Sequence, residues 1–125
     1  MAPWLLVAFG GALGSVARHG VNVASARLFG SGFPFGTLTV NVAGGLAMGL
    51  LAGLFALKTG ASQNLRLFLM TGVLGGFTTF SAFSLDAMTL WERGEGGLAA
   101  VYVAASVGLS IGAVAAGLAL ARALG

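Results

Sequence analysis

Two phenylalanines three residues apart, Phe80 and Phe83, stand beside Ser81 and Ser84 in the run GGFTTFSAFS at 75–84. At that spacing the two rings share one helical face, with hydroxyls next to them. A ring is positive at its edge, so a narrow passage lined by ring edges and hydroxyl donors replaces part of an anion's water without a full charge that would trap it. Tyr102, Ser106 and Ser110 recur every four residues and lay a second hydroxyl stripe along an otherwise apolar segment. Each pattern also has a plain reading: aromatics at helical spacing pack, and Ser or Thr bonds its own i−4 carbonyl. Asn41 carries an amide that must find partners away from water, as helix–helix glue or as a pore donor. Arg18 sits about 11 residues before Phe29, deep in its segment. An arginine in that position marks a functional site or pairs with an acid, and Asp86 is the acid expected in the same leaflet.

The same run also weakens the helix that carries it. Gly75, Gly76, Thr78 and Thr79 lie near the middle of a span from about Arg66 to Trp91, and paired Gly and β-branched Thr are poor helix formers. Unwound backbone at that depth is tolerated only where protein or a cavity covers it, and its freed carbonyls can hold a cation. An unbroken, kinked helix is the alternative.

The elements that must position these residues follow from composition. Of 125 residues, 58% are hydrophobic and 7% charged, with a mean hydropathy of +0.99. A soluble domain carries about 25% charged residues; a water-facing surface cannot be built from this chain, whereas a bilayer accepts apolar side chains outward. Four apolar blocks, Pro3–Phe29, Pro34–Leu57, Leu65–Leu90 and Leu98–Leu120, each exceed the roughly 20 residues that cross a hydrocarbon core. The hairpin loops between them are GSGF at 30–33, KTGASQN at 58–64 and ERGEGG at 92–97. The reading is an all-α membrane protein, one domain over residues 1–125, with four transmembrane helices, the third broken at mid-membrane.

Other classes fall away on the same residues. The formal charge of +3 comes from scattered basic residues that form no patch for nucleic acid. There is no cysteine, and the single histidine, His19, has no partner at metal-ligand spacing, which leaves disulfides and zinc unsupported. The first block lacks a basic residue before its apolar run, so it does not read as a cleaved signal peptide. Trp4 and Trp91 fall near helix ends, as interfacial aromatics do. No nucleophile, base and orienting acid can be assembled, so the chain does not read as an enzyme.

Four helices place both termini and the 58–66 loop on one side, with Lys58, Arg66 and Arg122, against Arg27, Arg93 and a snorkelling Arg18 on the other. That balance gives the positive-inside rule little to act on. Two oppositely inserted copies, an antiparallel dual-topology homodimer, account for both the balance and the small size. Small residues four apart recur in every helix: Gly10 and Gly14, Gly45 with Gly49 and Gly53, Gly72 and Gly76, Gly108 and Gly112. They permit close helix approach.

With GGALGSVAR at 10–18, PFGTLTVN at 34–41 and GGFTTFSAFS at 75–84, the chain resembles the Fluc (CrcB) family of fluoride channels over its whole length. The resemblance implies passive fluoride export through two pores in an antiparallel dimer in the bacterial cytoplasmic (inner) membrane, with a structural sodium ion at the dimer centre. It implies that Phe80, Phe83 and Asn41 line the pores, that Tyr102, Ser106 and Ser110 form a polar track, and that Ser81 adds a hydroxyl. Thr37 would be a vestibule contact, Arg18 the family's first-helix arginine, and Gly75 and Thr78 the carbonyl ligands of sodium. Two departures stand out: Ala82 replaces a threonine common in the family, and His19 a tyrosine. The rival is a small multidrug-type proton-coupled cation exporter, which needs a buried acid that helices one and two lack. A noncatalytic membrane assembly subunit is the other.

Overall fold

The computed structural model describes residues 2–57 and 62–125, all helix and connecting turns. Lys58 and most of the 58–64 loop lie outside the described residues. Helix α1 spans Ala2–Phe29 and α2 spans Phe35–Leu57. The third stretch is segmented: α3 (Gln63–Arg66), a π-helical segment (Leu67–Leu74), α4 (Gly75–Phe77) and α5 (Ser81–Glu92), followed by α6 (Gly96–Leu124). All four stretches match the apolar blocks to within a few residues. The π segment has no counterpart in the sequence reading.

The helix ends have local causes. Gly30 stops α1 in the left-handed region at φ 75°, its N–H bonding Ala26 O at 2.9 Å, and Gly94 does the same after α5 at φ 81°. Pro34 then stands just before α2, where its missing N–H costs nothing. Ser62 caps α3 by accepting from the Leu65 N–H.

Among the described residues, three helical stretches are long and apolar enough to cross a membrane: Phe35–Leu57, Gln63–Glu92 and Gly96–Leu124. Helix α1 has the length, at 28 residues, but Arg18, His19, Asn22 and Arg27 dilute its apolar character. Outward-facing Trp4, Phe9, Val16 and Leu109 are what lipid contact requires and water would penalise.

Helix α2 packs along α6, and α1 along the π segment and α4. Glycine makes both approaches possible. A Cβ on Gly10 would stand 2.5 Å from Phe68 O, one on Gly76 2.5 Å from Gly11 O, and one on Gly45 2.9 Å from Ser110 O. Gly108 and Gly112, by contrast, meet nothing within 4 Å in the chain. Gly14→Ala should therefore be costly: its Cβ falls on Val73 O and 2.8 Å from Phe77 N, backbone atoms that cannot rotate away. We expect a loss of about 1–3 kcal/mol by thermal unfolding in detergent, as for other overpacked sites. Gly20→Ala, with nothing within 4 Å, should gain up to about 1 kcal/mol. Equal midpoints for the two variants would refute the close approach.

The buried apolar cluster is small and lies at one end of the bundle: Phe83, Leu90, Ala99 and Tyr102, with Phe33 and Leu38 packed against it. It fixes α5 against α6 and so sets the position of the Phe83 ring.

Candidate functional site

Helical geometry stops at Thr78, whose φ of −89° and ψ of 161° are extended, and resumes at Ser81. The peptide groups freed there are taken up by side chains from other helices. Asn41 on α2 makes two bonds to one residue: its Oδ1 accepts from Thr79 N–H at 2.8 Å and its Nδ2 donates to Thr79 O at 2.9 Å. Arg18 on α1 donates from Nε to Gly76 O at 3.0 Å. The Thr79 hydroxyl oxygen accepts from Ala82 N–H at 3.1 Å and so caps the first turn of α5. Each bond replaces one that the interruption removed, which is the condition for irregular backbone in an apolar surrounding.

Beside this interruption, between α2 and α6, lies a groove of about 620 Å³. Asn41, Gly75, Thr78, Phe80, Phe83, Ser106 and Ser110 all line it. Residues drawn from three separate helices on sequence grounds thus meet at one place. The Phe80 and Phe83 rings stand 5.5 Å apart at 51°. Phe83 is buried, whereas Phe80 is 77% exposed. The hydroxyls of Ser106 and Ser110 are buried without a hydrogen-bond partner. Leaving a buried hydroxyl unpaired costs about 1–3 kcal/mol, which makes these oxygens candidate donors to whatever occupies the groove, with the Tyr102 hydroxyl the one polar group close to Ser106.

The chain matches the family described as "CrcB-like protein, Camphor Resistance (CrcB)" over residues 5–118. It belongs to the CrcB family. Similar proteins include "Fluoride-specific ion channel FluC" of Rhodopseudomonas palustris (strain BisB5), 60% identical over 121 residues, covering 97% of this chain and 98% of that protein. The protein of the same name from Paracoccus denitrificans (strain Pd 1222) is 63% identical over 121 residues, 97% of this chain and 95% of that one. That of Rhizobium johnstonii (strain DSM 114642 / LMG 32736 / 3841) is 62% identical over 120 residues, 96% of each. Family membership and the three apolar helices make this a multi-pass membrane protein.

Five residues of the sequence reading fall outside the groove in this CrcB chain. Tyr102 is fully buried, 5.4 Å from the Phe83 ring, and its hydroxyl donates to Asp86 Oδ2 at 3.1 Å. Its proton therefore points to Asp86 and not along the Ser106–Ser110 stripe. Thr37 is buried one turn before Asn41 on α2. Ser81 is exposed, with its hydroxyl 3.5 Å from that of Thr79. Arg18 meets the Gly76 carbonyl instead of Asp86, because α1 packs on α4 while Asp86 faces α6. Ser84 bonds its own i−4 carbonyl, Phe80 O, at 2.9 Å, the plain reading of a helical serine.

Two residues were missed. Thr79 was read only as a weak helix former, yet its hydroxyl caps α5 and its peptide carries both bonds from Asn41; a Thr three residues before Ala82 is a recognisable capping position. Asp86 was read as a partner for Arg18, and nothing local tied it to a tyrosine 16 residues away.

Proposed function

We propose that this chain is a fluoride-selective channel that carries fluoride passively across the bacterial cytoplasmic membrane and so lowers its internal concentration. The observation that carries the reading is the pair of buried hydroxyls, Ser106 and Ser110, on a groove that Phe80 and Phe83 also line. Two O–H donors and positive ring edges suit a small, strongly hydrated anion that must enter and leave again. The names of the relatives point to the same ion.

Two copies inserted in opposite senses complete the pathway in this reading. The 77% exposure of Phe80, in a groove open on one side, supports a second chain as its cover. Helix α1 is the fourth span, with Arg18 engaged by Gly76 O so that its charge need not face lipid. The interruption at 78–80 lies at mid-membrane, where the carbonyls of Gly75 and Thr78 hold a sodium ion together with the same pair from the second copy. Four neutral oxygens suit a singly charged hard cation, and no cluster of His, Cys, Asp or Glu suited to a divalent metal exists among the described residues. The ion would fix the two chains at their centre.

Purified protein in liposomes loaded with fluoride should release it rapidly to an ion-selective electrode, and release no chloride in a parallel preparation. Equal release of both ions, or of neither, defeats the reading. In whole cells an engineered cysteine at the exposed Glu95, in a chain with no native cysteine, should react with an impermeant maleimide in about half of the molecules. Complete reaction or none would leave a single orientation.

A further inference from the structure

An α-helix pairs each carbonyl with the N–H four residues on. Across the interruption the four carbonyls from Gly75 to Thr78 need the N–H groups of Thr79, Phe80, Ser81 and Ala82. Two of those donors are diverted to side-chain oxygens: Thr79 N–H to Asn41 Oδ1 and Ala82 N–H to Thr79 Oγ1. The carbonyls that lose their donors in this way are those of Gly75 and Thr78. The Gly76 carbonyl, which lies between them, is taken by Arg18 Nε. The Phe77 carbonyl likewise receives no bond from Ser81 N–H, but of these three carbonyl-bearing residues only Gly75 and Thr78 line the groove, together with Asn41.

We infer that Asn41 and Thr79 are positioning residues that select the cation ligands, by holding two N–H groups away from the helix so that the Gly75 and Thr78 carbonyls stay free. Arg18 completes the selection by occupying the Gly76 carbonyl. The inference rests on the cation reading above and adds to it which side chains create the ligand pair. It also gives Asn41 a task apart from lining the anion path. Its amide grips Thr79 at both N–H and C=O, at 2.8 and 2.9 Å, and this double grip holds the peptide turned out of the helix. Without it the Thr79 N–H has an obvious alternative partner in the Gly75 carbonyl, and the helix closes over the ligand.

The test is thermal unfolding of the purified full-length protein in detergent, in sodium chloride titrations balanced with N-methyl-D-glucamine chloride. Wild type should be stabilised by sodium in a saturable manner. Thr79→Ser keeps the oxygen that accepts from Ala82 and should respond as wild type does. Thr79→Val keeps the shape but not the acceptor, and Asn41→Leu removes the grip. In both, the sodium concentration for half-effect should rise about 10-fold or more, as expected when one hydrogen-bonding contact to a charged group is lost, while the sodium-free midpoint changes little. If Thr79→Val and Asn41→Leu shift the midpoint equally in both salts and keep the wild-type sodium response, the two residues only pack and the inference is overturned. Should Asn41→Leu fail to fold, the Thr79→Ser and Thr79→Val pair decides alone. Wild type unresponsive to sodium would instead overturn the cation site itself, and the inference with it.

Discussion

Liposomes containing Phe83→Ile or Phe80→Ile should release fluoride far more slowly than wild type, from protein that remains folded. Isoleucine keeps bulk and apolarity and removes the ring edge, so the substitution separates packing from conduction. Phe83 is 8% exposed and touches Tyr102, and its replacement should cost about 1 kcal/mol of stability in line with other modest core changes. Phe80 is largely uncovered within its own chain and should cost less. Conduction is the larger effect. Fluoride exchanges a tightly held hydration shell for wall contacts, and losing one or two of about 1–3 kcal/mol each at the barrier slows passage by roughly 5-fold to 10⁴-fold. Fluoride efflux at the wild-type rate from folded protein of both variants would take the rings out of the mechanism.

Ser106→Ala and the double change with Ser110→Ala should separate flux from stability in opposite directions. Ser110 has no partner in the fold and Ser106 has only the nearby Tyr102 hydroxyl, itself committed to Asp86, so removing either should leave the midpoint unchanged or raise stability by about 1 kcal/mol. If those hydroxyls give their hydrogens to the passing anion, each deletion removes a bond to a charged group worth about 1.5–3 kcal/mol, or roughly 10-fold to 150-fold in rate when felt at the barrier. A stable protein with undiminished fluoride efflux would return both serines to packing. A destabilised one would mean that they hold the helices together. Tyr102→Phe makes a useful contrast, because its hydroxyl is already committed to Asp86.

Spans were legible because lipid imposes a length and a composition that few other constraints mimic, and each expected block lies within a few residues of a helical stretch. The weak point at 75–84 was legible too, since paired Gly and Thr are poor helix formers wherever they stand. The groove residues on α2, α5 and α6 were found because each is a polar or aromatic group at helical spacing in an apolar run. What escaped was mostly pairing. Arg18 and Gly76 are 58 residues apart and Asn41 and Thr79 are 38 apart. Their meeting depends on how each helix is rotated about its own axis.

Rotation is set by the glycine contacts, and there the two levels divide. Sequence by itself determined that this is a helical membrane protein with a weakened third span, and that Asn41, Arg18 and a few hydroxyls had to find partners out of water. Tertiary structure alone decided which partners. Helix α1 packs on the π segment and α4, which brings Arg18 to Gly76 and away from Asp86, and Asp86 is left to accept the hydrogen bond of Tyr102. Ser106 and Ser110 were left unpaired on the groove wall. A polar side chain in an apolar segment carries its demand for a hydrogen bond wherever it goes, but whether a backbone carbonyl, a carboxylate or a passing ion meets that demand depends on atoms brought within about 3 Å by helix packing.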